Sequence, residues 1–271
     1  MKRFPFWSWF WILLGALYFI LPLLGTLNFS LRIRRDVLSL DAYVNALTDR
    51  EFLTTFVFSN QMAVMTIIVS ILLIVPTAYW AHLRLPQVRP VLDFITLMPF
   101  VIPAIILVFG LIKSYSRPLT VFGLPVVPPL TNSVFSTNIL LICGYVVLCL
   151  PYMYRSVDNG LRAMDVRTLT EAAQILGAGW PTILFRIILP NLRTALLSGA
   201  LLTFSIVVGE LTLATFLARP AFGPYLQLLG NHKAFEPFAL SLISFALTWI
   251  AMGIIQFVTR GSGQGQIAGG H

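Results

Sequence analysis

Residues 155–193 read RSVDNGLRAMDVRTLTEAAQILGAGWPTILFRIILPNLR and lie between two long blocks of the chain that carry no charge except Glu210. Charges of both signs are mixed in this segment, and its apolar residues recur at roughly helical spacing. This pattern predicts short amphipathic helices that lie outside a bilayer. Gly177 and Gly179 can take the positive φ that ends a helix, and Pro181 favours the first turn of the next one.

Uncharged blocks also make up most of the chain on either side of this segment. Of the 271 residues, 58% are hydrophobic and 10% are charged, whereas soluble domains average about 45–50% and about 25%. The predicted solvent is therefore a bilayer, which a helix crosses in about 20 residues. Six spans are predicted, near residues 7–29, 58–81, 92–112, 136–154, 195–217 and 238–258.

We therefore expect an all-α membrane protein in which residues 1–271 form a single transmembrane domain. The net charge of +8 comes from Lys and Arg that stand singly or in short groups between the apolar blocks. Such residues indicate contact with anionic lipid headgroups, whereas nucleic-acid binding would need a basic stripe. A small excess of Lys and Arg on the side of the N-terminus favours a cytoplasmic N-terminus.

Motifs of catalysis and metal binding are missing from the sequence. There is no G-x-x-x-x-G-K-[ST] phosphate loop and no H-E-x-x-H pair, and His82, His232 and His271 are far apart along the chain. Cys143 and Cys149 would lie about 120° apart around a helix, which favours neither a shared metal nor a disulfide. We predict no catalytic residue, no metal site and no bound cofactor. An intramembrane enzyme is a weaker alternative, because no nucleophile and base are paired.

Seven residues of the 155–193 segment form a motif of fixed spacing. The pattern EAA-x3-G-x9-I-x-L-P is filled by Glu171, Ala172, Ala173, Gly177, Ile187, Leu189 and Pro190. It resembles the signature of bacterial ABC-importer permeases, the binding-protein-dependent transport family. In that family the segment is the coupling helix, which fits a cleft on a separate ATP-binding subunit and carries its closure to the membrane helices.

The residues of the motif suit this role physically. Ala172 and Ala173 would let another protein approach closely, Glu171 would place a charge at the rim, and Gly177 would make a sharp corner. The alternative is a plain amphipathic connector.

The resemblance implies a permease subunit that forms a solute pathway and has no nucleotide site of its own. The implied partners are ATP-binding cassette subunits, which bind the ATP, a second permease subunit that is homologous or identical, a soluble or lipid-anchored substrate-binding protein, and membrane lipid. It also implies a bacterial inner membrane location, with six transmembrane helices and a cytoplasmic coupling loop before the fifth span. A membrane scaffold is an alternative, but a scaffold would have no reason to keep a docking helix.

The solute is suggested by a looser resemblance. The stretch LMPFVIPAIILVFGL at residues 97–111 resembles permeases of the spermidine/putrescine class, and related permeases for iron, phosphonate, sulfate or thiamine are alternatives. Glu210 lies inside the span 195–217, where a charged side chain is expensive and indicates function. Permeases of the polyamine class carry acidic residues in this region, although this chain has one acid where some have two. We predict that Glu210 lines the pathway; the alternative is a structural Glu.

Overall fold

A computed structural model describes residues 6–33, 37–121 and 124–260, and its regular elements are almost all helices. The helices are α1 (Phe6–Ser30), α2 (Asp41–Thr48), α3 (Arg50–Leu83), α4 (Arg89–Val101), α5 (Ala104–Tyr115), α6 (Val134–Arg162), α7 (Val166–Ile175), α8 (Trp180–Thr182), α9 (Leu189–Asn191), α10 (Arg193–Gly209), α11 (Thr212–Phe216), α12 (Phe222–His232) and α13 (Glu236–Arg260). Two short strands, β1 (Leu119–Val121) and β2 (Leu124–Val127), pair antiparallel between α5 and α6. The predicted all-α membrane class is confirmed.

Three of the described helices, α1, α3 and α6, are each long and apolar enough to cross a membrane. Two bent helix pairs would raise the number to five if each pair is one span, and α13 covers the sixth predicted block. The count of six spans is therefore not confirmed. α6 continues to Arg162, so the predicted loop 155–193 begins as the last turns of this helix.

The predicted third span, 92–112, is two helices instead of one. α4 and α5 meet at a bend of 102°, and Ile102 has the extended angles φ −89° and ψ 115°. The following Pro103 explains the break, because proline has no N–H to donate and disfavours the helical conformation of the residue before it. The prediction of one uninterrupted helix is wrong at this position.

The predicted fifth span, 195–217, is also interrupted. α10 ends at Gly209, Glu210 is extended with φ −72° and ψ 128°, and α11 begins at Thr212. A second bend of 76° separates Trp180–Asn191 from Arg193–Gly209. The chain is therefore bent before α10 and leaves the helical conformation after it.

The contacts among the described residues divide the chain into two compact units, which comprise residues 1–53 with 225–250 and residues 54–224 with 251–271. In the first unit, the ring of Phe29 packs on those of Phe235 and Phe238 at centroid distances of 4.9 and 4.8 Å. The hydroxyl of Tyr225 donates to the carboxylate of Asp49 at 2.9 Å in the same unit. The apolar stretch of α1 is not buried. The expectation of a single domain stays a prediction.

The second unit has a core that joins α3, α6, α7 and α10. The buried side chains of this core include Val75, Tyr79, Met153, Val157, Leu161, Val166, Ala173, Ile183, Ile188 and Leu192. Glycines bring α6 and α10 close together, because a Cβ on Gly160 would lie 2.7 Å from the Cβ of Ala195, and one on Gly199 would lie 2.8 Å from the sulfur of Met153. Small residues at helix contacts are typical of membrane proteins. This core positions the segment that carries the motif.

Candidate coupling segment and pathway residue

α7 begins with a side-chain cap. The carboxylate of Asp165 accepts the backbone N–H of Thr168 at 3.1 Å and the hydroxyl of Thr168 at 2.7 Å. These bonds satisfy a donor that the first turn of a helix leaves free. These hydrogen bonds hold the pKa of Asp165 below its ordinary value, and the bond from the hydroxyl of Thr168 contributes more than the bond from its N–H.

The two faces of α7 differ in burial. Val166, Thr170 and Ala173 are spaced four and three residues apart, so they share one face, and all three are buried. The other face carries the exposed Glu171 and Ala172. Ala173 therefore allows close approach of this chain's own helices, and the expectation that it faces a partner together with Ala172 is wrong.

Gly177 ends α7 in the left-handed conformation, with φ +80°. Its N–H donates to the carbonyl of Gln174 at 2.9 Å, and the N–H of Ala178 donates to the carbonyl of Ala173 at 2.9 Å. This pair of bonds is the Schellman motif, which favours glycine at its centre. The predicted positive φ is confirmed at Gly177 and is wrong at Gly179, which is extended with φ −75° and ψ 164°.

Two apolar side chains stand exposed where α7 ends. Ile175 is 86% exposed and Leu176 is 88% exposed. Both immediately precede the turn at Gly177, which holds the helix end in place. The free end of α7 therefore presents apolar surface beyond the core of the second unit.

Glu171 is paired within its own helix. The Nε of Arg167 donates to the Oε1 of Glu171 at 2.8 Å, and the two side chains are 82% and 58% exposed. The charge at the rim is therefore balanced by a neighbour one turn earlier, and solvent screens the pair.

The second half of the motif connects α7 to α10. Pro181 lies in the first turn of α8, as predicted, and residues Ile183–Ile188 form a π-helix. Ile187 and Leu189 are half-buried against the same core as Ala173. Pro190 lies in the first turn of α9, just before the bend that precedes α10. The motif is thus divided between an outward face of α7 and a connection packed on the core.

The carboxylate of Glu210 is occupied by backbone N–H groups. Its Oε1 accepts from Thr212 at 2.7 Å and Leu213 at 3.0 Å, and its Oε2 accepts from Leu213 at 2.9 Å and Ala214 at 3.3 Å. Glu210 therefore caps the first turn of α11. Its place in a solute pathway stays a prediction.

Sequence reasoning missed a polar cluster around Asp158 near the end of α6. The Nε2 of His82 lies 2.6 Å from Oδ1 of Asp158, the Nε of Arg162 lies 2.7 Å from Oδ2, and a guanidinium nitrogen of Arg89 lies 3.7 Å from Oδ1. The spacing of Asp158 and Arg162 at i and i+4 is the one signal that the sequence offered. Partners on α3 and α4 cannot be read from spacing.

No three His, Cys, Asp or Glu side chains lie together as a metal site would need in residues 6–33, 37–121 and 124–260. The carboxylates of Asp158 and Glu210 pair with other side chains and with backbone N–H groups, respectively. The arrangement therefore offers an exposed apolar end of α7 and an apolar helical block that is interrupted at Glu210.

Comparisons with known proteins fit this arrangement. The family model described as "Binding-protein-dependent transport system inner membrane component" matches residues 74–263. The spermidine/putrescine transport system permease protein PotB of Haemophilus influenzae is 29% identical over 213 residues, which are 74% of this chain and 71% of that protein. PotB of Escherichia coli K12 is 29% identical over 206 residues, 72% of this chain and 73% of its own.

A solved structure has the same fold over nearly the whole chain. A chain from the crystal structure of a bacterial ABC transporter involved in import of the acidic polysaccharide alginate superposes with a TM-score of 0.69. The two chains are 15% identical, and the match covers 95% of this chain and 96% of that one. The chain belongs to the family of binding-protein-dependent transport system inner membrane components, the permease subunits of ABC importers.

Proposed function

We propose that this chain is the pathway-forming subunit of a polyamine importer that takes its energy from a separate ATPase docked on α7. The observation that carries the docking is the exposed end of α7, where Ile175 and Leu176 are 86% and 88% exposed. Burying apolar surface against a partner contributes about 25 cal/mol per Å². The Schellman turn at Gly177 fixes where this surface stands.

The docking proposal also sets the orientation of the chain. ATP is available in the cytoplasm, so α7 would face the cytoplasm, and the N-terminus would lie on the same side. The ATP would be bound by the partner subunit. A second permease subunit would complete the pathway, and a soluble or lipid-anchored binding protein would deliver the solute from the opposite side.

The polyamine substrate is supported by the relatives whose names specify spermidine and putrescine, at 29% identity over about three quarters of this chain. A polyamine carries a charge of about +2 to +4, and moving unpaired charge through apolar surroundings costs several kcal/mol. We propose that Glu210 offsets part of this cost. The amides that it accepts from are neutral, so they would leave the charge of an ionised carboxylate in place to attract a cation.

Reconstituted transport tests both the proposed transporter type and the proposed substrate. The complete complex of both permeases, the ATPase and the binding protein is placed in proteoliposomes, and labelled spermidine, putrescine, sulfate, thiamine, phosphonate and iron are offered in turn. We expect accumulation of the polyamines with ATP and none with a non-hydrolysable analogue.

The outcomes separate the substrate from the transporter type. ATP-driven accumulation of sulfate, thiamine, phosphonate or iron without accumulation of polyamines would contradict the polyamine substrate but would still support an ATP-driven importer. The importer would be contradicted, and a scaffold favoured, by two results together. The complex would move none of these solutes, and the loaded binding protein would not stimulate its ATP hydrolysis.

A further inference from the structure

α7 is attached to a spanning helix that does not adjoin it in sequence. The hydroxyl of Tyr79 on α3 lies 3.0 Å from the hydroxyl of Thr170 on α7, and both side chains are buried, at 1% and 2% exposure. The motif itself leads along the chain from α7 to α10. This bond provides a second route, from α7 across to α3.

The direction of the bond follows from the protons available. The hydroxyl of Thr170 has one proton, which it donates to the carbonyl of Val166 at 2.7 Å. Thr170 must therefore accept from Tyr79, whose O–H is the donor. A buried hydroxyl without a partner is costly, so both side chains are held in this geometry.

The same face of α3 continues to the cluster at Asp158. His82 follows Tyr79 by three residues, so the two side chains lie on one side of the helix about one turn apart. The N–H at Nε2 of His82 donates to Asp158 on α6, whose other carboxylate oxygen accepts from Arg162. The carboxylate is 9% exposed. One turn of α3 thus holds α7 through Tyr79 and α6 through His82.

We propose that Tyr79 is a positioning residue for energy coupling, which fixes α7 to α3 so that a movement of α7 also moves α3 and, through His82, α6. The proposal rests on the proposed docking of an ATPase on α7. The motif leads along the chain to α10, and the apolar core also packs α7 on α3 and α6, but apolar packing is not directional. With the Tyr79 bond in place, α3 and α6 move together with α10, so that the spanning helices of the second unit respond as one.

Two conservative substitutions remove the bond from either side. Tyr79→Phe keeps the buried ring and removes the donor, and Thr170→Val keeps the volume and removes the acceptor. The matched control is Thr66→Val, because Thr66 is also buried on α3 but its hydroxyl donates to Met62 of its own helix at 2.7 Å. Thr170→Val loses a similar bond within its helix, so the control corrects for that loss.

The readout is solute imported per ATP hydrolysed in proteoliposomes, together with retention of the ATPase on purification and the thermal midpoint of the complex. We expect each variant to retain the ATPase and to lower solute per ATP about fivefold, since one hydrogen bond contributes about 1 kcal/mol. The double variant should be no worse than Thr170→Val alone, because both substitutions remove the same bond between α3 and α7.

Several results would overturn the link. Unchanged solute per ATP in Tyr79→Phe and Thr170→Val would do so, and so would additive losses in the double variant or an equal loss in Thr66→Val. If Thr170→Val fails to assemble, Tyr79→Phe alone decides the matter through its solute per ATP. A wild-type complex that imports nothing with ATP would instead overturn the proposed function, on which the link rests.

Discussion

Two breaks in the helical chain, at Gly177 and at Glu210, are made in different ways. Gly177 ends α7 through its own backbone, with φ +80° and two main-chain hydrogen bonds around it. Glu210 interrupts the fifth apolar block and caps α11 with its side chain. The first break leaves the apolar side chains of Ile175 and Leu176 exposed, whereas the second lies within the predicted pathway. The break at Gly177 requires a residue that tolerates a positive φ. The carboxylate at Glu210 can both cap a helix and carry a charge.

Changing Gly177 to Val should have the largest effect. A β-branched residue at φ +80° is a steric outlier that costs more than about 1–2 kcal/mol, so the end of α7 should shift. We expect uptake to fall more than about tenfold while the chain still inserts in the membrane. Uptake and ATP hydrolysis stimulated by the loaded binding protein are measured together.

Gly179→Val is the matched control for this effect. Gly179 is extended, and a Cβ there would meet only the Cδ of Pro181, at 3.9 Å. Its uptake should stay near that of the wild type. Wild-type uptake and ATP hydrolysis in Gly177→Val would show that the turn at Gly177 has no role in coupling.

Changing Glu210 separates its charge from its cap. Gln removes the charge and keeps one acceptor oxygen, whereas Asp keeps the charge but shortens the side chain, so the contacts at 2.7–3.3 Å to three amides are disturbed. If the charge attracts a cationic solute, Glu210→Gln should lose most uptake, about tenfold for about 1.4 kcal/mol, and Glu210→Asp should retain most of it.

Uptake of spermidine is compared between the two variants, with ATPase retention as the control for assembly. Equal losses in both would show that Glu210 acts as a cap. Wild-type uptake in Glu210→Gln would remove the residue from the pathway and direct the search for substrate to neutral or anionic solutes.

Changing Glu171 to Lys should have a smaller effect. The substitution reverses the rim charge and also sets a like charge one turn from Arg167, which is weakly unfavourable on an exposed helix. We expect attachment of the ATPase to weaken about two- to fivefold, as is typical of a rim charge. Co-purification at increasing salt measures this loss.

The double swap Arg167→Glu with Glu171→Arg is the control. It restores an opposite pair within α7 but leaves the rim charge reversed. Weak attachment of the ATPase in the double swap would show that the charge at position 171 acts on the ATPase. Recovery of wild-type attachment would show instead that the pair acts only within the helix.

Removing the cap at Asp165 should have the smallest effect. Thr168 lowers the pKa of this carboxyl, so the cap stabilises α7 above the ordinary pKa of Asp and loses this contribution as the pH falls through the lowered pKa. Asp165→Ala should lower the thermal midpoint of the complex at neutral pH, and its difference from wild type should shrink in acid. Asp165→Asn keeps an acceptor without a titrating proton. A difference between wild type and Asp165→Ala that is independent of pH would contradict the cap.

The local structure of the segment that carries the motif could be predicted because the motif encodes backbone geometry. The spacing from Glu171 to Gly177 fixed a helix and its end, and Pro181 marked the next start. The sequence did not reveal that Ala173 turns inward, because the direction of each face of α7 depends on the helices beneath it. The contact of Tyr79 with Thr170 is equally invisible, since 91 residues separate the two in the chain.

The spans were predicted less completely. Block lengths identify where an apolar helix can cross a bilayer, yet they assume that the helix is straight. Pro103 was the signal for the bend between α4 and α5, and Gly209 was the signal for the end of α10. The cap by Glu210 could not be foreseen, because a carboxylate inside an apolar block reads equally well as a pathway charge and as a bond to its own backbone.

Photocrosslinking from Leu176 tests the central claim, that this permease receives its energy through α7, most directly. A photoreactive amino acid replaces Leu176, which is 88% exposed and lies just after α7. In a second sample it replaces Phe135, which is 76% exposed and lies at the start of α6, whereas α7 follows the end of α6. α6 has 29 residues, so its ends lie about 40 Å apart. On illumination of the membrane-embedded complex, the account predicts an adduct with the ATPase subunit from position 176 and none from position 135. No adduct from position 176, or equal adducts from both positions, would contradict it.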